Sequence, residues 1–408
     1  MHELPIITSS MVELKSTQDG TDSPQSTRNS EPRLHLEAGL IVFLALVLAV
    51  FVAVHHYLDA RFDFGVFYYA AHMVLDGSRH ALYDAGVQHV FQARFHRPPA
   101  MLFRNPPFAL IPMLAIAWLP MLAAFAVWTA ISFALLYLSL KVLEIETAAV
   151  FGNWPLLLSL AYVPVMASLL HGQFSLVILA AYVFAYAQWR KGRSFWGGAI
   201  LSIATLKVQL VLGFVVVLLL KRKWKELGGF AVGCAALFGI SVLIAGLQAT
   251  LSYPAFLLHG EGNLANEFAN MANWHGLLYL LHIDRPWLEL VLSILTIAWA
   301  ARAWKDLDRG FAAAMLAAML VSYHFNPQDL ALTLAPFYLC VKTGLLPRKR
   351  IPVVVLLALL VTMIMVVCYA PLSLLAIALA AALWWIGKDA PRPDVPNESG
   401  KKIEITAT

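Results

Sequence analysis

The chain has 408 residues, of which 60% are hydrophobic and only 13% charged, and its formal net charge is +5. Soluble domains are about 45–50% apolar and about 25% charged, so the composition excludes a chain folded mainly in water. The basic residues stand in short clusters between apolar blocks. The positive-inside rule explains this distribution, which therefore does not indicate a nucleic-acid partner. We therefore expect an all-α integral membrane protein.

The N-terminal segment 1–37 is polar and rich in Ser and Thr, which predicts a disordered tail. The first apolar block begins near Gly39 and lacks the small-residue site of a cleavable signal peptide. We predict a first span over 39–58, a membrane domain over 38–388 and a polar tail over 389–408.

Further apolar blocks have the length of membrane spans, about 20 residues each. A shorter one, 107–119, is bounded by prolines and is predicted to be re-entrant or interfacial. The predicted spans are 121–142, 154–170, 174–189, 227–247, 286–303, 309–323, 328–342, 351–369 and 371–387.

The stretch 195–220 lies between two basic clusters, 190–193 and 221–225. If both clusters face one side, the chain must enter the membrane and return, as two short helices meeting near Lys207. Such half-helices are tolerated only where their ends are buried in protein or line a wet cavity. We predict Lys207 at the tip of this hairpin in a polar pocket, because an intramembrane lysine costs about 2.5–3.5 kcal/mol and usually marks a site. The alternative is a lysine that extends to the interface. With the hairpin counted as two, about twelve transmembrane helices result.

The Lys and Arg residues predict the orientation. One set of loops carries nearly all the basic clusters, whereas the two long loops 59–106 and 248–285 carry few. The positive-inside rule then places both termini in the cytoplasm and both long loops outside. We expect the inner (plasma) membrane of a bacterium, with a site facing the periplasm or exterior.

The first outer loop opens with Asp63, followed by Phe64, Phe67, Tyr68 and further apolar residues at helical spacing. This spacing predicts an amphipathic helix on the membrane surface. Asp63 is suited to capping that helix. It is equally suited to taking a proton from a hydroxyl at the membrane boundary, and the two roles are compatible.

Other polar residues gather at the predicted outer face. Arg104 is suited to pairing with phosphate or to anchoring the chain at the interface. His324 lies in the polar turn 322–329 and could be a cation facing phosphate or a donor that stabilises the turn. Trp274 and His275 suit sugar binding, although an ordinary polar loop is the favoured interpretation. We list as candidate substrate-binding residues Tyr68, Tyr69, Asn105, His171, Gln173, Gln209, Trp274 and His275.

Several motifs are missing from the sequence: a phosphate-binding Walker loop, a Gly-rich dinucleotide fingerprint, a zinc HExxH motif and a nucleophile elbow. The three cysteines form no metal or disulfide pattern. Nucleotide-driven chemistry is therefore disfavoured, and we expect neither cofactor nor metal.

Several short motifs follow one another along the chain: Asp63–Ala71, Gly77 with Leu82–Asp84, Asn105–Phe108, Gly172-Gln173, Lys207 followed by Arg222–Trp224, and His324. This ordered set resembles the GT-C superfamily of polyprenol-phosphate-sugar-dependent glycosyltransferases. The closest resemblance is to glycosyltransferase family 87, which includes a mycobacterial mannosyltransferase acting on phosphatidylinositol mannosides. The turn at His324 departs from the family pattern, because Phe325-Asn326-Pro327-Gln328-Asp329 stands where a Ser-Pro and a His-Tyr pair are expected.

The resemblance implies a GT-C-type bundle and a hexosyltransferase-type enzyme. The donor would be a sugar, mannose or another hexose or pentose, on a polyprenyl phosphate. The acceptor would be a hydroxyl of a glycolipid or glycan, and membrane lipid would surround the site. Asp63 would match the base of a single inverting displacement, and Lys207, His324 and Arg104 would match groups that hold the donor phosphate.

Two other functions fit parts of the sequence. A transporter or flippase for a lipid-linked or anionic substrate would explain the hairpin and the intramembrane Lys207. It would also predict polar residues along the whole bundle, whereas here they concentrate on one face and no internal repeat is evident. A membrane scaffold without chemistry would leave Asp63, Lys207 and His324 unexplained.

Overall fold

The computed structural model describes residues 63–94, 101–143, 155–259, 268–367 and 370–388. The predicted first span and both predicted tails lie outside these ranges. All regular structure within them is helical, and short 3-10 segments join several α-helices. The α-helices are α1 Asp63–Leu75, α2 Ala85–Gln92, α3 Ile111–Ile116, α4 Met121–Leu143, α5 Pro155–Ala161, α6 Val163–His171, α7 Ser175–Arg190, α8 Ser194–Leu201, α9 Gln209–Leu220, α10 Trp224–Ala245, α11 Leu247–His259, α12 Trp274–Leu280, α13 Pro286–Ala303, α14 Leu307–Leu320, α15 Leu334–Lys342, α16 Ile351–Val367 and α17 Leu375–Gly387.

Three described helices, α4, α10 and α13, are long and apolar enough to cross a membrane alone. Each lies within a few residues of a predicted span, since unbroken apolar runs of this length leave little choice of element. The α6–α7 pair would be a fourth, but it bends by 117°. The structure therefore supports a helical membrane protein, and the count of about twelve spans stays a prediction.

The predicted hairpin is present as α8, a 3-10 segment Ser202–Lys207, and α9. Its first arm packs so closely along the start of α10 that a Cβ at Gly229 would overlap the Phe195 carbonyl. Its second arm returns to the end of the bundle where the first arm begins. There the ring of Phe214 lies 5.9 Å from that of Trp189, and the Trp189 indole donates a hydrogen bond to the Ser194 carbonyl. Lys207 thus lies at the deep end of the hairpin.

Helix α1 differs from its prediction. It was expected on the membrane surface with one apolar face, yet every residue from Asp63 to Ala71 is buried. Small and apolar residues such as Gly65, Val66 and Ala70 fill the face that was expected to be polar, and a helix that is apolar all round is normally buried. The first outer loop therefore folds into the bundle and carries Asp63 with it.

A sharp bend separates α6 from α7. Gly172 ends α6 in the left-handed conformation, with φ of 66°, which only glycine adopts without strain. A Cβ at this position would lie 2.7 Å from the Cβ of Phe64. The bend, which we call the elbow and define as His171–Ser175, thus packs directly against α1.

Candidate active site

The Asp63 carboxylate meets the elbow. Its Oδ2 accepts a hydrogen bond of 2.6 Å from the side-chain amide of Gln173 and lies 3.5 Å from Nδ1 of His171. Asp63 is only 6% exposed. It is the first residue of α1, and its carboxylate interacts with the elbow side chains. The structure thus brings together three predicted site residues from two distant segments.

Backbone and aromatic contacts fix the elbow. The backbone amide of Gln173 donates to the Ser168 carbonyl at 2.9 Å, so the chain stays attached to α6 while it turns. The indole of Trp128 donates to the Gly172 carbonyl at 2.8 Å and contacts the Phe174 ring edge-on. The side chains of His171 and Gln173 are therefore presented to Asp63 from a rigid segment.

A second polar cluster surrounds the hairpin tip. The Lys207 ammonium lies 2.6 Å from Oδ1 of Asp329, and the two side chains are 8% and 0% exposed. The Ser175 hydroxyl donates to the same oxygen at 2.6 Å, and Oδ2 of Asp329 accepts from the backbone amide of Asn326 at 3.1 Å. Lys207 thus lies in the predicted polar pocket and does not extend to an interface.

Neither Asp329 nor Ser175 was among the predicted site residues. A signal for Asp329 did exist, because a buried lysine left without a counterion is strongly destabilising. Asp329 stands at the start of an apolar run, where a carboxylate is equally in need of a partner. No comparable pattern marks Ser175.

His324 lies in the turn beside this cluster. Its pKa is lowered to about 4, chiefly because burial disfavours the charged ring and then because Lys207 is close, with Arg104 adding to the effect. The nearby Asp329 carboxylate opposes that shift, and so, to a smaller extent, does a hydrogen bond with the Asn326 side chain. Near neutral pH the ring is therefore uncharged, and its role at a donor phosphate stays a prediction.

The elbow connects the two clusters. Gln173 binds Asp63 and Ser175 binds Asp329. These two elbow residues are two positions apart, so their Cα atoms are at most about 7 Å apart. One rigid segment thus sets the distance between the Asp63 carboxylate and the Lys207–Asp329 pair.

Asn105 fixes the hairpin tip from the first outer loop. Its side-chain amide donates to the Leu206 carbonyl at 3.0 Å, while its own carbonyl accepts a hydrogen bond from the Tyr83 hydroxyl. This brings the neighbouring Arg104 close enough to affect His324. Gln209 is the half-buried first residue of α9, just beyond Lys207.

Four other candidates have partners within the protein. The Tyr68 hydroxyl donates to the Leu119 carbonyl at 2.8 Å, and the Tyr69 hydroxyl lies 3.5 Å from the Met121 sulfur. These contacts attach α1 to Leu119 and to the first residue of α4. Their roles in substrate binding stay predictions.

The other two candidates belong to α12. The Trp274 indole donates to the Thr296 hydroxyl at 2.9 Å, and Nδ1 of His275 lies 3.0 Å from Oε2 of Glu289. The His275 ring is also 5.3 Å from that of Tyr323, next to His324. The Trp274–Thr296 and His275–Glu289 contacts attach α12 to α13. A role of Trp274 and His275 in sugar binding stays a prediction.

The described ranges contain no group of three His, Cys, Asp or Glu side chains arranged to hold a metal ion. Within these ranges the site consists of the Asp63 carboxylate at the elbow and the Lys207–Asp329 pair, with its neutral donors, at the hairpin tip.

Comparison with known proteins gives one match. The model of glycosyltransferase family 87 matches residues 103–327, more than half of the chain. No curated protein and no solved structure matches it. The matched range contains the elbow, the hairpin and His324, whereas Asp63 and Asp329 lie outside it. The chain belongs to glycosyltransferase family 87 and is therefore a membrane glycosyltransferase.

Proposed function

We propose that this enzyme transfers a sugar from a polyprenyl-phosphate donor to a hydroxyl of a glycolipid or glycan, with Asp63 as the base. The observation that carries the proposal is the hydrogen bond from Gln173 to Asp63 at the elbow. Both contacts, with Gln173 and His171, fall on Oδ2. We assign Oδ1 to the acceptor hydroxyl.

The reaction is a single displacement with inversion. The acceptor oxygen forms a bond to the anomeric carbon while the bond from that carbon to the phosphate oxygen breaks. The hydroxyl proton passes to Asp63, and the electron pair of the broken bond leaves with the polyprenyl phosphate. A base contributes most when it holds the proton within hydrogen-bond reach of its oxygen, which a carboxylate fixed by the elbow supplies.

The leaving phosphate gains negative charge and needs compensation, which fixed cations and dipoles provide in place of a metal. We assign this role to Arg104 and His324, with Lys207 behind them. Lys207 is a weaker candidate than its isolated charge implied, because Asp329 already neutralises it. The neutral His324 can donate a hydrogen bond from its ring N–H to a phosphate oxygen as charge develops there.

The donor and the membrane side follow from charge placement. The basic clusters lie at the end of the bundle where the hairpin begins and ends. Asp63 begins α1 and His324 lies in the turn after α14, both at the other end. We propose that the basic end is cytoplasmic in a bacterial plasma membrane, so that the site faces outward. Nucleotide sugars are absent there, which favours a lipid-linked hexose such as mannose.

The test is a transfer assay with the full chain purified in detergent. Polyprenyl-phosphate mannose and GDP-mannose are compared as donors, with a panel of glycolipid acceptors. The proposal predicts transfer only from the lipid-linked donor, with the opposite anomeric configuration in the product. Transfer from GDP-mannose alone, or retention of configuration, contradicts it. Movement of the lipid across vesicles without any transfer would favour the flippase.

A further inference from the structure

An apolar cavity of about 470 Å³ lies between α5, α14, α15, α16 and α17, away from Asp63. Engineered apolar cavities of about 150 Å³ already stay dry and bind small hydrocarbons, so one three times larger is suited to a hydrocarbon chain. Its wall is mostly aliphatic and includes Leu158, Leu316, Leu330, Val354, Leu357 and Leu379.

The deep end of the cavity offers no place for a charged head group. Its hydroxyls pair with each other: Tyr162 lies 3.1 Å from the Thr333 hydroxyl, and Ser159 lies 3.5 Å from that of Tyr338. Asp329 is on the same 3-10 segment as Thr333, but its carboxylate faces Ser175 and Lys207. The chain of the sugar donor would need its phosphate at this end, so the donor is not the favoured occupant.

The opposite end of the cavity reaches the basic end of the bundle. Arg350 ends the 3-10 segment just before α16, four residues before the lining residue Val354. Lys388 directly follows α17, three residues after the lining residue Trp385, and its ammonium lies 5.0 Å from the centre of the Trp384 ring. Lys349, Arg350 and Lys388 are exposed. Three exposed cations thus stand next to the ends of the two helices, α16 and α17, that line the cavity.

The depth also fits one leaflet. The lining residues on α17 run from Leu375 to Ile386, which at 1.5 Å per residue is about 17 Å. Half of the bilayer hydrocarbon core is about 15 Å. A single acyl chain entering from the basic end would therefore fill the cavity.

We propose that this cavity binds an anionic phospholipid of the leaflet at the basic end. One acyl chain occupies the cavity, and the phosphate lies among Lys349, Arg350 and Lys388. Basic pockets between transmembrane helices are known to hold acidic lipid head groups in this way. The site is separate from the sugar-transfer site, and only the exclusion of the donor as its occupant rests on the proposed function.

The first test uses native mass spectrometry of the full chain in detergent, titrated with phosphatidylglycerol or with phosphatidylcholine of the same acyl chains. One phosphatidylglycerol should be retained about tenfold more tightly than phosphatidylcholine. The triple variant Lys349→Gln, Arg350→Gln, Lys388→Gln should lose this preference. The matched control Lys191→Gln, Arg193→Gln, Lys225→Gln removes three exposed cations elsewhere at the same end and should keep it. Equal retention of both lipids by the wild-type chain overturns the proposal.

The second test fills the cavity. Ala382 lines it and is exposed, so Ala382→Phe should abolish the retained phospholipid. Ala381→Phe adds the same ring at an exposed position outside the lining and should have no effect. Undiminished binding to Ala382→Phe contradicts the proposal. So does displacement of the phospholipid by polyprenyl phosphate, which would make the cavity the donor chain's site. Asp63→Asn should bind phospholipid normally, so failure of sugar transfer leaves this inference standing.

Discussion

The side-chain amide of Gln173 donates a hydrogen bond of 2.6 Å to the carboxylate of Asp63, a residue 110 positions earlier in the chain. The two residues meet because α1 is buried against the elbow, where Gly172 leaves room for Phe64. Since Ser175 of the same elbow binds the counterion of Lys207, a change at the elbow should affect both polar clusters.

Removing the side-chain amide of Gln173 should impair Asp63 as the base. A hydrogen bond to a charged group contributes about 1.5–3 kcal/mol, so Gln173→Ala should lower kcat about tenfold to a hundredfold. KM for the donor should change little, because the amide touches Asp63 and not the phosphate cluster. Gln248→Ala, at an exposed position of α11, is the control. Wild-type kcat in Gln173→Ala would remove Gln173 from the account.

Gly172 should not tolerate a side chain. A left-handed non-glycine residue costs about 1–2 kcal/mol, and the added Cβ would also meet Phe64 at 2.7 Å. Gly192 has φ of 72° but open space around it, so Gly192→Ala carries the strain without the clash. Thermal unfolding in detergent should show a larger drop in Tm for Gly172→Ala, together with loss of transfer. Equal drops would mean that α1 and the elbow are not in close contact.

The Lys207–Asp329 pair should behave as a coupled unit. Breaking a buried pair by removing one partner costs about 3–5 kcal/mol, so Lys207→Met and Asp329→Asn should each lower Tm strongly. The double variant should lose less than both single losses combined. The exposed pair Arg94–Asp76 is the control, and its variants should change stability by less than about 1 kcal/mol. Additive losses at Lys207 and Asp329 would contradict the pairing.

His324 should make stability depend on pH. Its pKa in the folded protein is about 4, whereas an unfolded histidine titrates near 6.5. Between these values the unfolded chain binds more protons, so stability rises with pH there and is lost as pH falls from about 6.5 towards 4. His324→Gln should flatten this part of the Tm–pH curve, and His89→Gln, at an exposed position, should not. An unchanged curve in His324→Gln would mean that the ring is not kept neutral by its surroundings.

Much of the helical framework could be predicted, because long apolar runs such as 121–142 and 286–303 have one plausible structure in lipid. The hairpin could also be predicted, since two basic clusters flank it. The burial of α1 could not be predicted, because the apolar face defined by Phe64, Phe67 and Tyr68 drew attention away from the equally apolar residues between them. Asp329 was missed as the partner of Lys207 because the two are 122 residues apart, a distance that only the packed bundle closes.

The most direct measurement is sugar transfer by Asp63→Asn with polyprenyl-phosphate mannose. The amide keeps the size of the side chain but cannot accept the acceptor proton as a carboxylate does. Asp76→Asn, an exposed carboxylate of the same loop, is the matched control. The account predicts that Asp63→Asn folds and binds donor but loses transfer by at least about a hundredfold, while Asp76→Asn remains active. Near wild-type transfer by Asp63→Asn would contradict the assignment of Asp63 as the base.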